Sequence, residues 1–389
     1  MGRGHRPRRA RLTLPPGALA QLVAHLLCKQ GVRGSSPLGS TSRSFGEPGV
    51  RVADHRGSTT RSRVLALLLC LVALSLTACD DVPPPDADAP QPPARLAGTP
   101  SYDARAEPAA AVLPLVPATA TTLTVTDLDL VRRQLGVPDL TSDDLMTDRS
   151  AFWERAATEA PLLAHGMLRP DTSELMLDYG FTEDDLDWEA HFTGPDGNGY
   201  VLAFRPGLDM DGVARAVGAG VGALAGARVL RGPHLVVSGV ADDGAASWAT
   251  DPTVVHLVGE PAEATYLHRG CLPLADALGP DATAEDQDAV LAHQDLTDLD
   301  ELDAVAVSFG DHLVTVRLGR DRTDLFDRLR LGDRWPGDPS FGDVFARGVA
   351  DPATGRIGYD VPRPPEAASM TLTGTLPFAV CNTVTPIPE

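Results

Sequence analysis

Seven histidines lie downstream of residue 79, and histidine is the residue type that most readily transfers a proton or binds a metal near neutral pH. They are spread singly along the chain, without an H-E-x-x-H motif or any other close pair: His165, His191, His234, His256, His268, His293 and His312. A zinc site needs three or four ligands, which this distribution could supply only by assembly in space. We interpret these histidines as residues that lie at the surface or have their hydrogen bonds formed within the fold, and we predict no metal site.

Two acidic clusters contain the residue types that calcium prefers. The first is Asp209-Met210-Asp211-Gly212, and the second is the segment DLTDLDELD over 295–303. Calcium loops alternate their oxygen ligands and close with a distal glutamate, which brings the ligand number to six or more. Neither cluster has that full pattern. We therefore expect a helix cap in the first cluster and a solvated acidic turn in the second.

A glycine-rich segment over 218–223 fits the loose dinucleotide fingerprint G-x-G-x-x-A. That fingerprint binds a pyrophosphate only where it links a strand to the N-terminus of a helix. Here a helical pattern precedes the glycines, so close packing of a small-residue helix is the better interpretation. We predict no cofactor.

Lys29 is the only lysine of the sequence. The rest of the chain therefore excludes a P-loop lysine, a Schiff-base lysine and a Ser-x-x-Lys dyad. No G-x-S-x-G elbow occurs either. Asp and Glu are abundant, so a hydrolase that uses paired carboxylates stays open. The balance nevertheless favours a protein that is not an enzyme, and no catalytic residue is predicted.

The charge distribution divides the chain into two unlike parts. The whole sequence has 33 Lys and Arg against 53 Asp and Glu, for a formal net charge of −20. Residues 1–78 contain twelve basic and two acidic residues, which leaves 21 basic and 51 acidic residues in 79–389, a net charge near −30. Such a charge disfavours nucleic acid and anionic lipid surfaces as partners. The basic leader could contact phosphates, but no nucleic-acid-binding module accompanies it.

An apolar run, VLALLLCLVALSLTAC, covers Val64 to Cys79 and follows Arg61 and Arg63. As a helix it spans about 22 Å at roughly 1.5 Å per residue, which is short of the roughly 30 Å hydrocarbon core of a bilayer. It suits the apolar region of a signal peptide over 61–78. An uncleaved signal anchor or a buried helix are the alternatives.

The end of this run, Leu76-Thr77-Ala78-Cys79, resembles the lipobox of bacterial lipoproteins. The resemblance implies cleavage before Cys79, acylation of this cysteine, and a protein held at the cell membrane facing outside the cytoplasm. The Ala, Gly, Asp and Arg usage is typical of a GC-rich genome, so the lipoprotein resembles those of high-GC Gram-positive bacteria. The Pro-rich acidic segment that follows predicts a disordered tether over 79–118.

Residues 1–60 differ from the start of a lipoprotein, because a signal peptide should lie at the N-terminus. The segment ALAQLVAHLLCKQGVRGSSPLGS resembles spurious reading frames translated across transfer-RNA genes. We expect that translation begins downstream of Met1, with Val50 or Val52 as the true first residue. A genuine basic extension is the alternative.

With Cys79 assigned to lipid by this resemblance, Cys28 in the leader and Cys70 in the signal, two cysteines are left. Cys271 and Cys381 would meet an oxidising compartment, where a remaining pair usually forms a disulfide. We predict this bond, which closes a loop of about 110 residues, with Cys271 at a helix start and Cys381 at the end of a last strand. A reduced pair in the core or a metal-binding pair are the alternatives.

The elements that would position these residues predict an α+β fold. Alternating apolar residues flank a Gly-Pro-Asp-Gly-Asn-Gly turn over 188–203, which is typical of a β-hairpin. A second hairpin and helix follow near Leu302. Without gaps, 200–217 aligns with 312–329, so that Arg205 and Arg317 coincide and Asp209 coincides with Asp321. We interpret this as two hairpin-plus-helix repeats, over 119–264 and 265–389, in one exported domain.

These observations predict a lipid-anchored envelope protein whose domain is a binding or scaffolding module. The alternatives are a carboxylate-dependent hydrolase of envelope polymers and an accessory subunit that docks another envelope protein. The expected partners are the membrane, through the lipid on Cys79, and an unidentified envelope protein or small ligand.

Overall fold

A ten-stranded antiparallel sheet runs through the protein in the order β4-β5-β3-β2-β1-β6-β7-β8-β10-β9. The structure is a computed structural model that describes residues 100–164 and 166–388. The predicted leader over 1–60, the signal over 61–78 and the lipidation site Cys79 lie outside the described residues. The helices and the antiparallel sheet together make the α+β class that the sequence predicts.

Strands β1 to β5 come from the first half of the described chain. Their bounds are Thr122–Asp127, Leu186–Gly194, Gly197–Phe204, Arg228–Leu230 and Leu235–Ser238. The α-helices of this half are α1 at Pro108–Ala111, α2 at Leu128–Gln134, α3 at Met146–Glu159, α4 at Met210–Ala219 and α5 at Pro252–Val255. A short helical turn at Thr172–Glu174 continues as a π-turn over Leu175–Tyr179.

Strands β6 to β10 come from the second half. Their bounds are Ala264–Arg269, Ala304–Gly310, Leu313–Arg317, Ala346–Asp351 and Arg356–Asp360. The helices are α6 at Leu274–Leu278, α7 at Ala284–Leu291, α8 at Leu325–Gly332, α9 at Phe341–Val344 and α10 at Pro364–Leu372.

A two-residue turn joins the two strands in each of the hairpins that the sequence predicts. Gly194 pairs with Gly197 at the end of the β2–β3 ladder. In the β7–β8 hairpin, Asp311 and His312 both have positive φ, at 53° and 59°. This combination produces the mirror-image turn whose twist matches that of antiparallel strands. Turn composition therefore identifies both hairpins from the sequence.

Helices cover one face of the sheet, which we call the front face. Because side chains alternate along a strand, Leu202 of β3 and Val236 of β5 point to this face in the first half, and Val307 of β7 and Val316 of β8 do so in the second. All four are fully buried. The front face therefore contains the larger part of the core.

The opposite or back face is covered over only part of its width. Helix α1, the turn that follows it and helix α5 bury side chains of the inner strands there, including Trp188, Val201 and Ala306. Beyond these strands, the helices of residues 100–164 and 166–388 leave part of the back face of β8, β10 and β9 uncovered: Val349 is 68% exposed, and Thr315 and Gly358 are partly exposed. This uncovered part borders the cleft described below.

The predicted tether over 79–118 extends too far into the domain. Val112 and Val116 are fully buried, and Leu113 is 2% exposed. The segment AAAVLPLV over 109–116 is apolar enough to bury surface against the back face. The described part of this segment is therefore folded, and only residues before 100 remain as a predicted tether.

Two further details differ from the sequence-based expectations. The stretch before Cys381 is helix α10 followed by a 3-10 turn at Pro377–Ala379, not a last strand. Pro364 and Pro365 occupy the first turn of the helix, where the missing N–H costs nothing. Helix α8 begins after Asp324, three residues later than the alignment with Asp209 predicts, because the loop after β8 is longer.

The order of strands relates to the predicted duplication. Counting from β1 outward gives β1-β2-β3-β5-β4, and counting from β6 outward gives β6-β7-β8-β10-β9. Each half thus inverts its last two strands in the same way. The predicted boundary at 264 and 265 falls on the first residues of β6. Duplication remains an interpretation that agrees with this order, and Asp321 is not at a helix start.

Candidate functional site

A cleft of about 970 Å³ lies on the back face of the second half. Four stretches of chain border it: 252–257 with helix α5, 300–304 before β7, 317–322 after β8, and 353–356 at the start of β10. The back face of the adjacent strands β8 and β10, where Arg317 and Arg356 are located, forms part of its lining. The cleft therefore lies where the helices of the back face end.

Arg317 and Arg356 are direct partners in the ladder between β8 and β10. Residues opposite each other in an antiparallel pair have Cβ atoms roughly 4.5–5.5 Å apart, and like charges there destabilise the pair. The carboxylate of Glu260 contacts both guanidinium groups. Its Oε2 accepts from Arg317, and its Oε1 accepts from Arg356 Nη2 at 2.8 Å. One carboxylate thus bridges two opposed cations and offsets part of their charge.

The two ends of this bridge differ in burial. The side chain of Arg317 is 7% exposed, whereas that of Glu260 is 53% exposed. Burial lowers the pKa of Arg317, although Glu260 acts in the opposite direction. Ser308 Oγ accepts a further hydrogen bond from Arg317 Nη1 at 3.1 Å. The cation is therefore fixed in the sheet, and its counter-ion is carried by an accessible loop.

The other charged groups of the cleft differ in their hydrogen bonding and exposure. Arg322 is saturated, since it donates to the Asp324 carboxylate and to the main-chain oxygens of Leu318, Asp300 and Glu301. The exposed charged residues of the lining are three acids, Glu301, Asp303 and Asp321, and one arginine, Arg320. The arrangement can bind an anionic group at the two sheet arginines while its acids disfavour additional negative charge.

Backbone geometry at one wall requires glycine. Gly355 has φ of 68°, and a Cβ atom placed there would lie 1.7 Å from the carbonyl oxygen of Gly319. The turn between β9 and β10 therefore packs directly on the loop after β8. This contact holds two of the four stretches that border the cleft in one arrangement.

A pair of buried, interacting acids lies elsewhere, on the front face. Glu183 and Glu189 are each 1% exposed. Glu183 Oε2 accepts from the Leu168 N–H at 2.8 Å, and His191 Nε2 lies 2.5 Å from Glu189 Oε1. Burial, followed by the adjacent Glu189 carboxylate, raises the pKa of Glu183 well above its ordinary value. His191 lowers the pKa of Glu189 against the effect of burial.

Burial and the neighbouring carboxylate thus favour the protonated form of Glu183, whose Oε1 has no hydrogen-bond partner among the described residues. Glu183 belongs to a run of buried polar residues over 182–185, in which Asp184 accepts from Arg149 Nε at 2.6 Å and from Trp153 Nε1 at 2.9 Å. The run connects β2 to helix α3. Neither Glu183 nor Glu189 borders the back-face cleft.

The two cysteines that the sequence pairs lie at disulfide distance. The Cα atoms of Cys271 and Cys381 are 4.9 Å apart, with their sulfur atoms at bonding distance. Main-chain hydrogen bonds link Leu272 with both Ala379 and Cys381 beside them. Cys271 precedes helix α6 by three residues, and the bond connects this region to the C-terminal segment. The predicted lipidation residue, Cys79, is outside the described chain.

The structure places the remaining candidates from the sequence as follows. Asp209 caps helix α4 by accepting from the Asp211 N–H at 2.9 Å. Gly218 and Gly220 lie at the C-terminal end of this helix, whose carbonyl groups would repel a phosphate. Within residues 100–164 and 166–388, no group of three or more His, Cys, Asp or Glu could hold a metal. His256 borders the cleft, whereas His165 is not described.

Sequence reasoning missed Glu260, Arg356 and the buried acids over 182–185. Arg317 and Arg356 are far apart in sequence, and Glu260 is farther still from Arg356. The pairing register of β8 with β10 brings the two arginines together, and the carboxylate of Glu260 contacts both of them. The one sequence signal was the alignment that singled out Arg317 and Arg205; Arg205 instead donates to the Leu140 carbonyl at 2.5 Å.

Two further findings complete the description of the site. Among the described residues, no helix is both long and apolar enough to span a membrane. The chain was compared with protein-family models, with curated proteins and with solved structures, and none of the three comparisons found a match. The arguments for function therefore come from the sequence and from the geometry of the cleft.

Proposed function

We propose that this protein is a lipid-anchored, extracytoplasmic binding module and that the back-face cleft is its ligand site. The observation that carries the proposal is the uncovered part of the sheet, where Arg317 and Arg356 line a cleft of about 970 Å³. Clefts of this size are typical of small-molecule sites. A binding module needs no further reactive group.

Burial and charge support this choice of site. A guanidinium that is almost entirely buried, as Arg317 is, costs free energy unless an anion and hydrogen bonds compensate it. Most buried arginines of this protein have such partners inside the core. Arg328, for example, donates to Asp324 and to three main-chain oxygens. Arg317 instead faces a cleft that is open to solvent.

The anchor rests on the lipobox resemblance of Leu76 to Cys79. Its test is labelling of cells with a palmitate analogue, for the wild-type protein and for Cys79→Ala. We expect the label on the wild type alone. Cys70→Ala, inside the apolar run, is the matched control and should keep the label. Equal labelling of wild type and Cys79→Ala would contradict the anchor.

The test of the ligand site is native mass spectrometry of the full mature chain released from membranes in detergent. We expect a ligand mass bound to the wild-type protein. The fraction of protein that carries this mass should be at least tenfold smaller for Arg356→Gln. Arg330→Gln, an exposed arginine on helix α8, should keep it. A partner protein among the bound masses would favour the docking alternative, for which Leu313 and Val349 are exposed on the same face at 51% and 68%.

A further inference from the structure

We infer that the cleft recognises a small ligand through a single anionic group, a carboxylate or a phosphate, which displaces Glu260 from Arg317 and Arg356. This inference rests on the proposed function and assigns the chemical class of its ligand. The following observations carry it: the paired arginines, the exposed position of Glu260 in a connecting loop, and the charges on the rim.

The sheet itself brings the two guanidinium groups together. Arg317 and Arg356 face each other across adjacent strands, on the same face. Since opposed like charges are unfavourable, this register is satisfied only when an anion lies between them. Two arginines offer several N–H donors in fixed planes, which match the oxygens of one carboxylate or one phosphate. The Glu260 carboxylate occupies this position with one oxygen on each arginine.

Glu260 can leave without disturbing the sheet. It belongs to the connection between helix α5 and β6, outside both elements. The preceding Gly259 has φ of 108°, and a Cβ atom there would meet nothing within 4 Å. The loop is thus loosely surrounded on this side. A ligand anion that takes the place of Glu260 makes the same contacts with Arg317 and Arg356, while Glu260 gains full hydration.

The rim limits the charge of the ligand. Three exposed acids, Glu301, Asp303 and Asp321, outnumber the one exposed arginine, Arg320, around the cleft, and residues 79–389 have a net charge near −30. Negative charge at the rim repels a ligand with several anionic groups. The geometry therefore points to one anionic group on an otherwise neutral or cationic small molecule, and it disfavours polyanions.

The test is isothermal titration of the full mature chain with two probes. N-acetylglycine carries one carboxylate, and inorganic phosphate carries a phosphate group, so their relative affinities assign the source of the anion. We expect Glu260→Gln to bind the better probe at least fivefold more tightly than the wild type does. We expect Arg356→Gln to bind it at least tenfold more weakly.

Matched controls separate the site from the overall charge. Glu159→Gln removes an equal charge from an exposed pair with Arg155 on helix α3, and Arg330→Gln removes an exposed cation. Both should bind within twofold of the wild type. The melting temperature is a second measurement: without Glu260 the arginines repel each other, so the probe should raise the melting temperature of Glu260→Gln more than that of Glu159→Gln.

The outcomes distinguish this inference from the proposed function. If Arg356→Gln weakens binding and Glu260→Gln leaves it unchanged, displacement is refuted and binding in the cleft stands. If neither probe binds to any variant while the mass found by native spectrometry still depends on Arg356, the anion class is refuted. If Arg356→Gln binds every ligand as the wild type does, both proposals are refuted.

Discussion

Replacing Arg328 with methionine should destabilise the protein more than any exposed arginine substitution on the same helix. The Arg328 and Asp324 side chains are both fully buried, with 2.5 Å between Nε and Oδ2. The guanidinium also donates to the carbonyl oxygens of Phe378, Val380 and Asp300, at 2.9, 3.0 and 2.8 Å. Helix α8, the loop before β7 and the C-terminal segment are therefore joined by one side chain.

Methionine keeps the length of the apolar stem and removes all these donors. Breaking a buried ion pair by removing one partner costs about 3–5 kcal/mol, because the remaining charge stays buried. Arg322 also donates to Asp324, at 2.7 Å, so the lower end of this range is the better expectation. With an m-value of roughly 3 kcal/mol/M, the urea midpoint should fall by about 1 M.

Urea unfolding of the mature chain, followed by far-ultraviolet circular dichroism, measures this effect. Arg330→Met is the control, since its partner Asp327 is a neighbour on the same helix and the arginine is 59% exposed. Exposed pairs of this kind contribute about 0–1 kcal/mol. The reasoning would be refuted if Arg328→Met lay within about 1 kcal/mol of Arg330→Met.

Three further predictions concern other parts of the fold. Replacing both Cys271 and Cys381 with alanine should lower the free energy of unfolding by up to about 4–5 kcal/mol, since the bond closes a long loop; urea unfolding measures this. Glu183→Gln should flatten the pH dependence of stability above pH 4.5, the ordinary value for glutamate, as measured by thermal melting across pH. Gly355→Ala should destabilise the protein by more than 2 kcal/mol, about the size of strong backbone strain, whereas Gly358→Ala should be tolerated.

The sign of the pH prediction follows from the raised pKa of Glu183. A folded state that holds a proton more tightly than the unfolded state is favoured at low pH. The contribution of this carboxyl is therefore fully present below about 4.5, and it is lost as the pH rises through the raised pKa. Glutamine imitates the protonated form at every pH. An unchanged slope in Glu183→Gln would contradict the raised pKa of Glu183.

The other two predictions have their own controls. Reduced wild-type protein should match the double alanine variant in urea, and two free thiols per denatured, unreduced chain would contradict the disulfide. Gly358 has ordinary φ, and the nearest atom to an added Cβ is a carbonyl oxygen at 4.0 Å. A Gly355→Ala variant as stable as Gly358→Ala would mean that the contact with Gly319 can relax.

Local signals in the sequence predict much of the fold. The Gly-Pro-Asp-Gly turn and the Gly-Asp-His turn each specify a hairpin, because few residue types adopt the backbone angles required. Asp209 specifies the start of helix α4, since its side chain replaces a missing hydrogen-bond partner. Errors arose where packing decides: the stretch over 109–116 and the region of helix α10 have compositions that are compatible with several structures.

The sequence alone determines the α+β class, the two hairpins and the pair of cysteines that lies at disulfide distance. These properties depend on the types of residues close together in the chain, or on a process of elimination among few cysteines. Only the tertiary structure decides that Arg317 faces Arg356, that Glu260 lies between them and that Glu183 is buried beside Glu189. Strand register and the coverage of a sheet face determine these contacts, and both result from packing between distant segments, for which no local spacing carries the information.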